Sequence, residues 1–181
     1  MPNREDAYKL LKEYTNSDSL IKHALAVEAA MIACAKKYNE DEAKYAVTGL
    51  LHDFDYEKYP DNHPQEGKKI LEEKGYDAEI IEAIQGHNDE TGISRESQLA
   101  KCLYAVDELA GFITACAYVR PTNLEGMKPK SVKKNLKKKG FAAKVDRSII
   151  KQGIEELGAD ENEHIMMIIE AMQEISQELG F

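Results

Sequence analysis

The chain has 181 residues, 43% of them hydrophobic and 7% aromatic, which is enough for one domain with a real core and too apolar for disorder. A formal net charge of −9 disfavours general binding to nucleic acid or to an anionic membrane, so a nucleic-acid partner is not expected, but a small phosphorylated substrate responds to the local field and stays open. No apolar run approaches the roughly 18 residues that span a bilayer, and Met1–Tyr14 is charged throughout, so no membrane association and a cytoplasmic location are expected.

In chain order nearly every segment reads as helix. Arg4–Tyr14 is a short amphipathic opener, and the capping-rich Asn16-Ser17-Asp18-Ser19 leads into a long helix over about Leu20–Lys37 with Leu20, Val27, Met31 and Cys34 on one face. Glu40–Asp53 follows, then a loop with Pro60. A helix from Pro64 to about Lys74 is ended by Gly75, and another runs from Asp77 to about Gln85. The segment from Ser94 or Arg95 to Val119 is apolar on nearly every side, which predicts a central, buried helix. Past Arg120-Pro121 come a basic helix over Lys130–Lys139, a helix over Arg147–Leu157 and a last one over Asp160–Leu179. No alternating apolar pattern long enough for a strand is present. The expectation is all-α: one domain over 1–181, with a core over about 19–119 and a helical extension over about 122–181. Cys34, Cys102 and Cys116 are far apart and inside apolar stretches, so they read as buried, reduced thiols.

Four of the five histidines form an ordered series with two aspartates: His23, His52-Asp53, His63, His87, Asp107. Imidazoles and carboxylates hold divalent metals without thiols. His23 lies on the face of Leu20 and Val27, His87 continues the stripe of Ile80 and Ile84, and Asp107 follows Leu103 by one turn, so polar groups point into an apolar interior. Such groups need compensation, which one or two cations would supply. Taken singly, each has a plainer reading. An inward histidine is usually a hydrogen-bonded core residue, Asp107 could pair with Lys101 or Arg120, and His63 and Asp53 could cap local structure. His164 falls outside the series and is expected at the surface.

The order H…HD…H…H…D resembles the HD superfamily of metal-dependent phosphohydrolases over roughly Ser19 to Val119. His23, His52, Asp53 and Asp107 match its defining pattern, and His63 and His87 resemble the subset that holds two metals. HDFDYEKY from His52 and GHNDETG around His87 look like small predicted HD hydrolases of bacteria. The resemblance implies an HD-like helical bundle with a binuclear site. His23, His52, Asp53 and Asp107 would bind one metal, and Asp53 would bridge to a second held by His63 and His87. The ions would be drawn from Fe, Mn, Mg, Co, Ni and Zn. It further implies hydrolysis of a phosphate ester or small nucleotide by a metal-activated hydroxide, with Asp53 and Asp55 as catalytic candidates, Asp55 orienting water or accepting a proton. The cyclic-dinucleotide-cleaving branch carries Gly and Lys after the His-Asp pair and a Gly-Tyr-Pro element. Here Phe54-Asp55-Tyr56 and Gly75-Tyr76-Asp77 stand instead, which argues against that activity. A minority of similar HD-fold proteins use two irons and O2 to cleave a C–C or C–P bond, and the same six ligands would serve. A non-catalytic metal scaffold is a third reading.

Seven lysines lie between Lys128 and Lys139. They read as a solvated helix face, as a docking patch for an acidic partner or a nucleic acid, which needs aromatic or arginine interleaving where only Phe141 is near, or as a source of substrate contacts, in which case Arg120 and Lys130 are the candidates to reach the metal cleft and grip phosphate.

Overall fold

The side chain of Asn3 accepts from the amide of Asp6, whose own carboxylate returns to the amide of Asn3. This reciprocal capping box starts α1 (Arg4–Tyr14). In the computed structural model, which describes residues 2–181, nine more α-helices follow: α2 (Asp18–Tyr38), α3 (Glu42–Leu51), α4 (Gln65–Glu73), α5 (Ala78–Gly86), α6 (Gln98–Tyr118), α7 (Pro129–Leu136), α8 (Arg147–Leu157), α9 (Glu161–Glu174) and α10 (Ser176–Leu179). The fold is all-α, and no strand occurs among the described residues. Among the described residues no helix is long and apolar enough to cross a membrane.

Several helix ends differ from the sequence expectation, each for a local reason. Asp41 accepts from the amides of Ala43 and Lys44, so α3 begins at Glu42 rather than Glu40. Ser97 caps α6, leaving Arg95 outside the helix. Arg95 there bonds the carbonyl of Gly86 and the carboxylates of Asp89 and Glu156, and its guanidinium lies 3.5 Å from the centre of the Tyr104 ring. The basic helix α7 stops at Leu136, and the segment after it is held in a loop by Arg147, which donates to the carbonyls of Phe141, Ala142 and Val145. The final predicted helix is two, broken at Ile175.

α2 and α6 lie at the centre, packed on one another and flanked by α3, α5, α8 and α9. The expectation of a buried α6 holds, with Leu103, Val106, Leu109, Phe112 and Ile113 fully enclosed. All three cysteines are buried and free. Two glycines let neighbouring helices approach. A Cβ at Gly49 would sit 2.9 Å from the Cα of Glu28, so α3 presses on the α2 backbone. One at Gly153 would sit 2.8 Å from the Cα of Ala105 and 2.9 Å from the carbonyl of Tyr104, so α8 rests directly on α6.

Gly153→Ala should therefore destabilise the protein although alanine favours helix. The overlap is with backbone, overpacking costs about 1–3 kcal/mol, and the helix-propensity gain is at most about 1 kcal/mol. A lower midpoint in urea unfolding is the expected outcome, and an unchanged or higher midpoint would contradict the packing described.

Candidate metal centre

The six residues of the His/Asp series meet at one place, from five parts of the chain. His23 comes from the middle of α2 and Asp107 from α6. His52 and Asp53 follow the last residue of α3, where the helix gives way to turns and adjacent side chains can converge. His63 precedes α4, and His87 closes α5.

They form two triads. In the first, Nε2 of His23 lies 2.9 Å and Nε2 of His52 3.3 Å from the same Oδ1 of Asp107, and the two nitrogens are 3.2 Å apart. In the second, Oδ1 of Asp53 faces Nε2 of His63 at 3.1 Å and Nε2 of His87 at 3.3 Å. The other oxygen of Asp53 is 3.5 Å from Nε2 of His52, so this carboxylate stands between the triads. In each triad one donor atom per residue lies within 4.8 Å of the others, a spacing able to hold a metal ion.

The imidazoles are fixed from behind. Nδ1 of His52 donates to the carbonyl of Gly49 at 2.7 Å, and Nδ1 of His87 donates to the carbonyl of Ile84. A carbonyl only accepts, so each Nδ1 carries hydrogen and a neutral ring presents the bare lone pair of Nε2. That lone pair faces carboxylate oxygens, an arrangement tolerated only when a proton or a cation lies between. Metal-ligating histidines are oriented by this same kind of bond from the remote nitrogen. The donor set therefore fits divalent cations.

Electrostatics agree. Burial pushes the carboxyls of Asp53 and Asp107 up, but the charge on His52 and bonds from the neighbouring imidazoles outweigh it, holding both below the usual carboxylate range. Burial pulls His52, His87 and His63 down, yet the facing carboxylates more than reverse this. All three are raised, and His63, between Asp53 and Asp55, reaches about 9. Glu108, next to Asp107 in sequence, is pushed up to about 7 by burial and then by the charge of Asp107.

Five expectations need correction. Asp55 does not face the cleft. It is fully buried, with Oδ1 2.7 Å from Nδ1 of His63 and Oδ2 accepting from the amide of Gly67 at 2.7 Å, so both oxygens are committed to holding His63. A Cβ at position 67 would lie 2.8 Å from Cγ of Asp55, and that glycine in the first turn of α4 is the signal sequence reasoning missed. Arg120 does not reach the metals, because its guanidinium closes its own loop on the carbonyls of Asn123 and Glu125. Lys130 is solvent-exposed on α7 with no ion pair to the cluster. His164 is fully buried, not at the surface, and bonds the carbonyl of Ala105 at 2.9 Å. Asp107 pairs with His23 and His52 rather than with Lys101 or Arg120.

A model of the HD domain family matches residues 20–111, about half of the chain. Among curated proteins, the tRNA (cytidine(56)-2'-O)-methyltransferase of Thermoplasma volcanium is 28% identical over 152 residues, covering 81% of this chain but only 45% of that protein. No solved structure matches.

Two outcomes follow from this geometry. In the metal-free protein the raised pKa of His63, from an ordinary 6.5 to about 9, means its bound proton contributes stability fully below about pH 6.5, a contribution lost as pH rises through about 9. Zn2+ must displace that proton, so its affinity should climb across the same window in chelator-competition titrations, and a flat profile would contradict the assignment. Asp55→Asn, which removes the carboxylate behind Nδ1 of His63, should weaken metal binding at the second triad by about 10–100-fold while the first triad retains its ion, measured by equilibrium dialysis with metal analysis.

Proposed function

The chain belongs to the HD domain family, and from that membership and the paired triads we propose that it is a metal-dependent phosphohydrolase acting on a small phosphate ester or nucleotide. The observation that carries this reading is the pair of Nε2 lone pairs, on His52 and His87, aimed at carboxylates that remain partly open to solvent. His23, His52 and Asp107 would hold one divalent ion, His63 and His87 a second, and Asp53 both. Bound there, such ions would supply Lewis-acid activation of water and neutralise charge on a phosphoryl group under attack.

The chain's own contribution is placement. Gly49, Ile84 and Asp55 lock three imidazoles by their remote nitrogens, so the donors need no reorganisation on loading. With Asp53 shared, four protein donors would nearly fill the first site, while three at the second would leave coordination positions free for water and substrate, which distinguishes a reactive site from a closed structural one. Glu108, next to Asp107 in sequence and with its carboxyl pushed up to about 7, is suited to exchange a proton with a leaving group. The methyl transfer named for the Thermoplasma relative is not carried over, since this chain spans less than half of that protein.

Protein loaded with Mn2+, Co2+ or Ni2+ should hydrolyse p-nitrophenyl phosphate or nucleoside monophosphates, and Asp53→Ala should lose both metal and turnover, by at least about three orders of magnitude in kcat (~4 kcal/mol). Full activity and full metal content in that variant would sink the shared-carboxylate arrangement. Air-sensitive iron with a mixed-valence electron paramagnetic resonance signal, together with no phosphatase activity, would point instead to oxygen-dependent bond cleavage.

A further inference from the structure

The charge of this chain is strongly segregated. Residues 128–147 carry eight lysines and one arginine against a single aspartate, while the remainder holds fifteen basic and thirty-two acidic residues, a net of −17. The lysines of the two parts also behave differently. Outside the stretch eight of twelve form ion pairs, among them Lys9 with Glu5, Lys22 with Asp18 and Lys44 with Glu79. Within it, among the described residues, only Lys133 does, with Glu161. The others are left with their charge uncompensated, on an otherwise acidic molecule.

Three of the seven free lysines line a concavity. A groove of about 590 Å3 between the end of α7 and the start of α8 is lined by Leu136, Lys137, Lys139, Lys144, Asp146 and Arg147. Arg147 is spent on the carbonyls that shape the loop, so Lys137, Lys139 and Lys144, all exposed, provide the free positive charge. Asp146 on the groove wall heads α8, which packs on α6, the helix that carries Asp107.

We propose that this groove is a docking surface for the phosphate backbone of a nucleic acid, read by charge and not by sequence. The surface lacks what other acidic partners need. The apolar residues of α7, Val132 and Leu136, are turned into the protein, so no apolar face is offered to a lipid bilayer. The apolar lining is slight, with Leu136 and Val145 half-buried and Ala143 alone exposed among three exposed lysines, whereas a protein interface has an apolar centre depleted in lysine. Phe141 is half-buried against Phe112, with ring centres 5.5 Å apart, and cannot stack on bases, so base-paired backbone is favoured over an unpaired strand. The overall negative charge limits the contact to this patch.

The test is fluorescence anisotropy of the full chain with a labelled RNA hairpin of mixed sequence. Binding should weaken with salt, log K against log [salt] falling with a slope of about −3, roughly −0.9 for each phosphate neutralised by three lysines. Replacing Lys137, Lys139 and Lys144 together by Gln should weaken binding about tenfold or more, and by Glu further still. Exchanging Lys9 and Lys12 on α1 for Gln should leave it within about twofold. Circular dichroism and metal content report whether the variants fold. Unchanged affinity in the triple variants, a slope near zero, or equal capture of polyglutamate or phosphatidylserine vesicles would overturn the proposal. The phosphatase assay is separate: hydrolysis without RNA binding sinks only the groove, and RNA binding without hydrolysis sinks only the hydrolase.

Discussion

Two imidazoles whose remote nitrogens are tied to carbonyl oxygens must turn their other nitrogens toward carboxylates, and the site is organised around that conflict. His52 and His87 are held this way by Gly49 and Ile84, and they face Asp53 and Asp107 at 3.3–3.5 Å. With protons in place the arrangement is a set of buried ion pairs. With cations in place it is a metal site. Either way, removing one member leaves an uncompensated buried charge, which costs about 3–5 kcal/mol. The interior can carry this polar cluster because the helices supplying it are apolar elsewhere: α2 and α6 bury Val27, Met31, Leu103 and Leu109 on either side of His23 and Asp107.

The elements that hold the cluster are also tied to one another through it. α3 is brought onto α2 by the missing side chain of Gly49, which fixes the depth at which His52 emerges. α4 contributes an amide rather than a ligand. The bond from Gly67 to Asp55, and from Asp55 to His63, runs from the first turn of that helix to the second triad. That helix is also held by the core, where Leu71 is fully buried, so Asp55 orients its first turn while packing on α5 seats the rest.

Much of the fold was legible in the sequence. The 3.6-residue periodicity and capping residues located α1 and α8 to the residue, and the all-round apolar character of the segment from Ser94 or Arg95 to Val119 identified the central helix, which runs from Gln98 to Tyr118. The six-residue series was legible because its members repeat a known order with unusual spacing. What failed were single residues whose role depends on a partner distant in sequence. Asp55 looks like a loop carboxylate until the amide of Gly67 and the ring of His63 are placed around it. His164 sits among glutamates in sequence, but it is drawn inside by the carbonyl of Ala105, which α8 and α9 enclose. Arg120 follows the buried helix directly and seemed free to reach inward, yet nearby carbonyls of its own loop satisfy it at less entropic cost.

The contact at Gly153 sets a dimension of the whole molecule. With the backbone of α8 seated on Tyr104 and Ala105, α8 can neither slide along α6 nor tilt away without opening a gap or colliding. Asp146 heads α8 and Asp107 lies one half-turn beyond Ala105, so the span between basic groove and histidine cluster is set by a rigid strut rather than by a hinge. Anything lying along the lysines would then keep one fixed offset from the histidine cluster, and the two helices would act as a caliper.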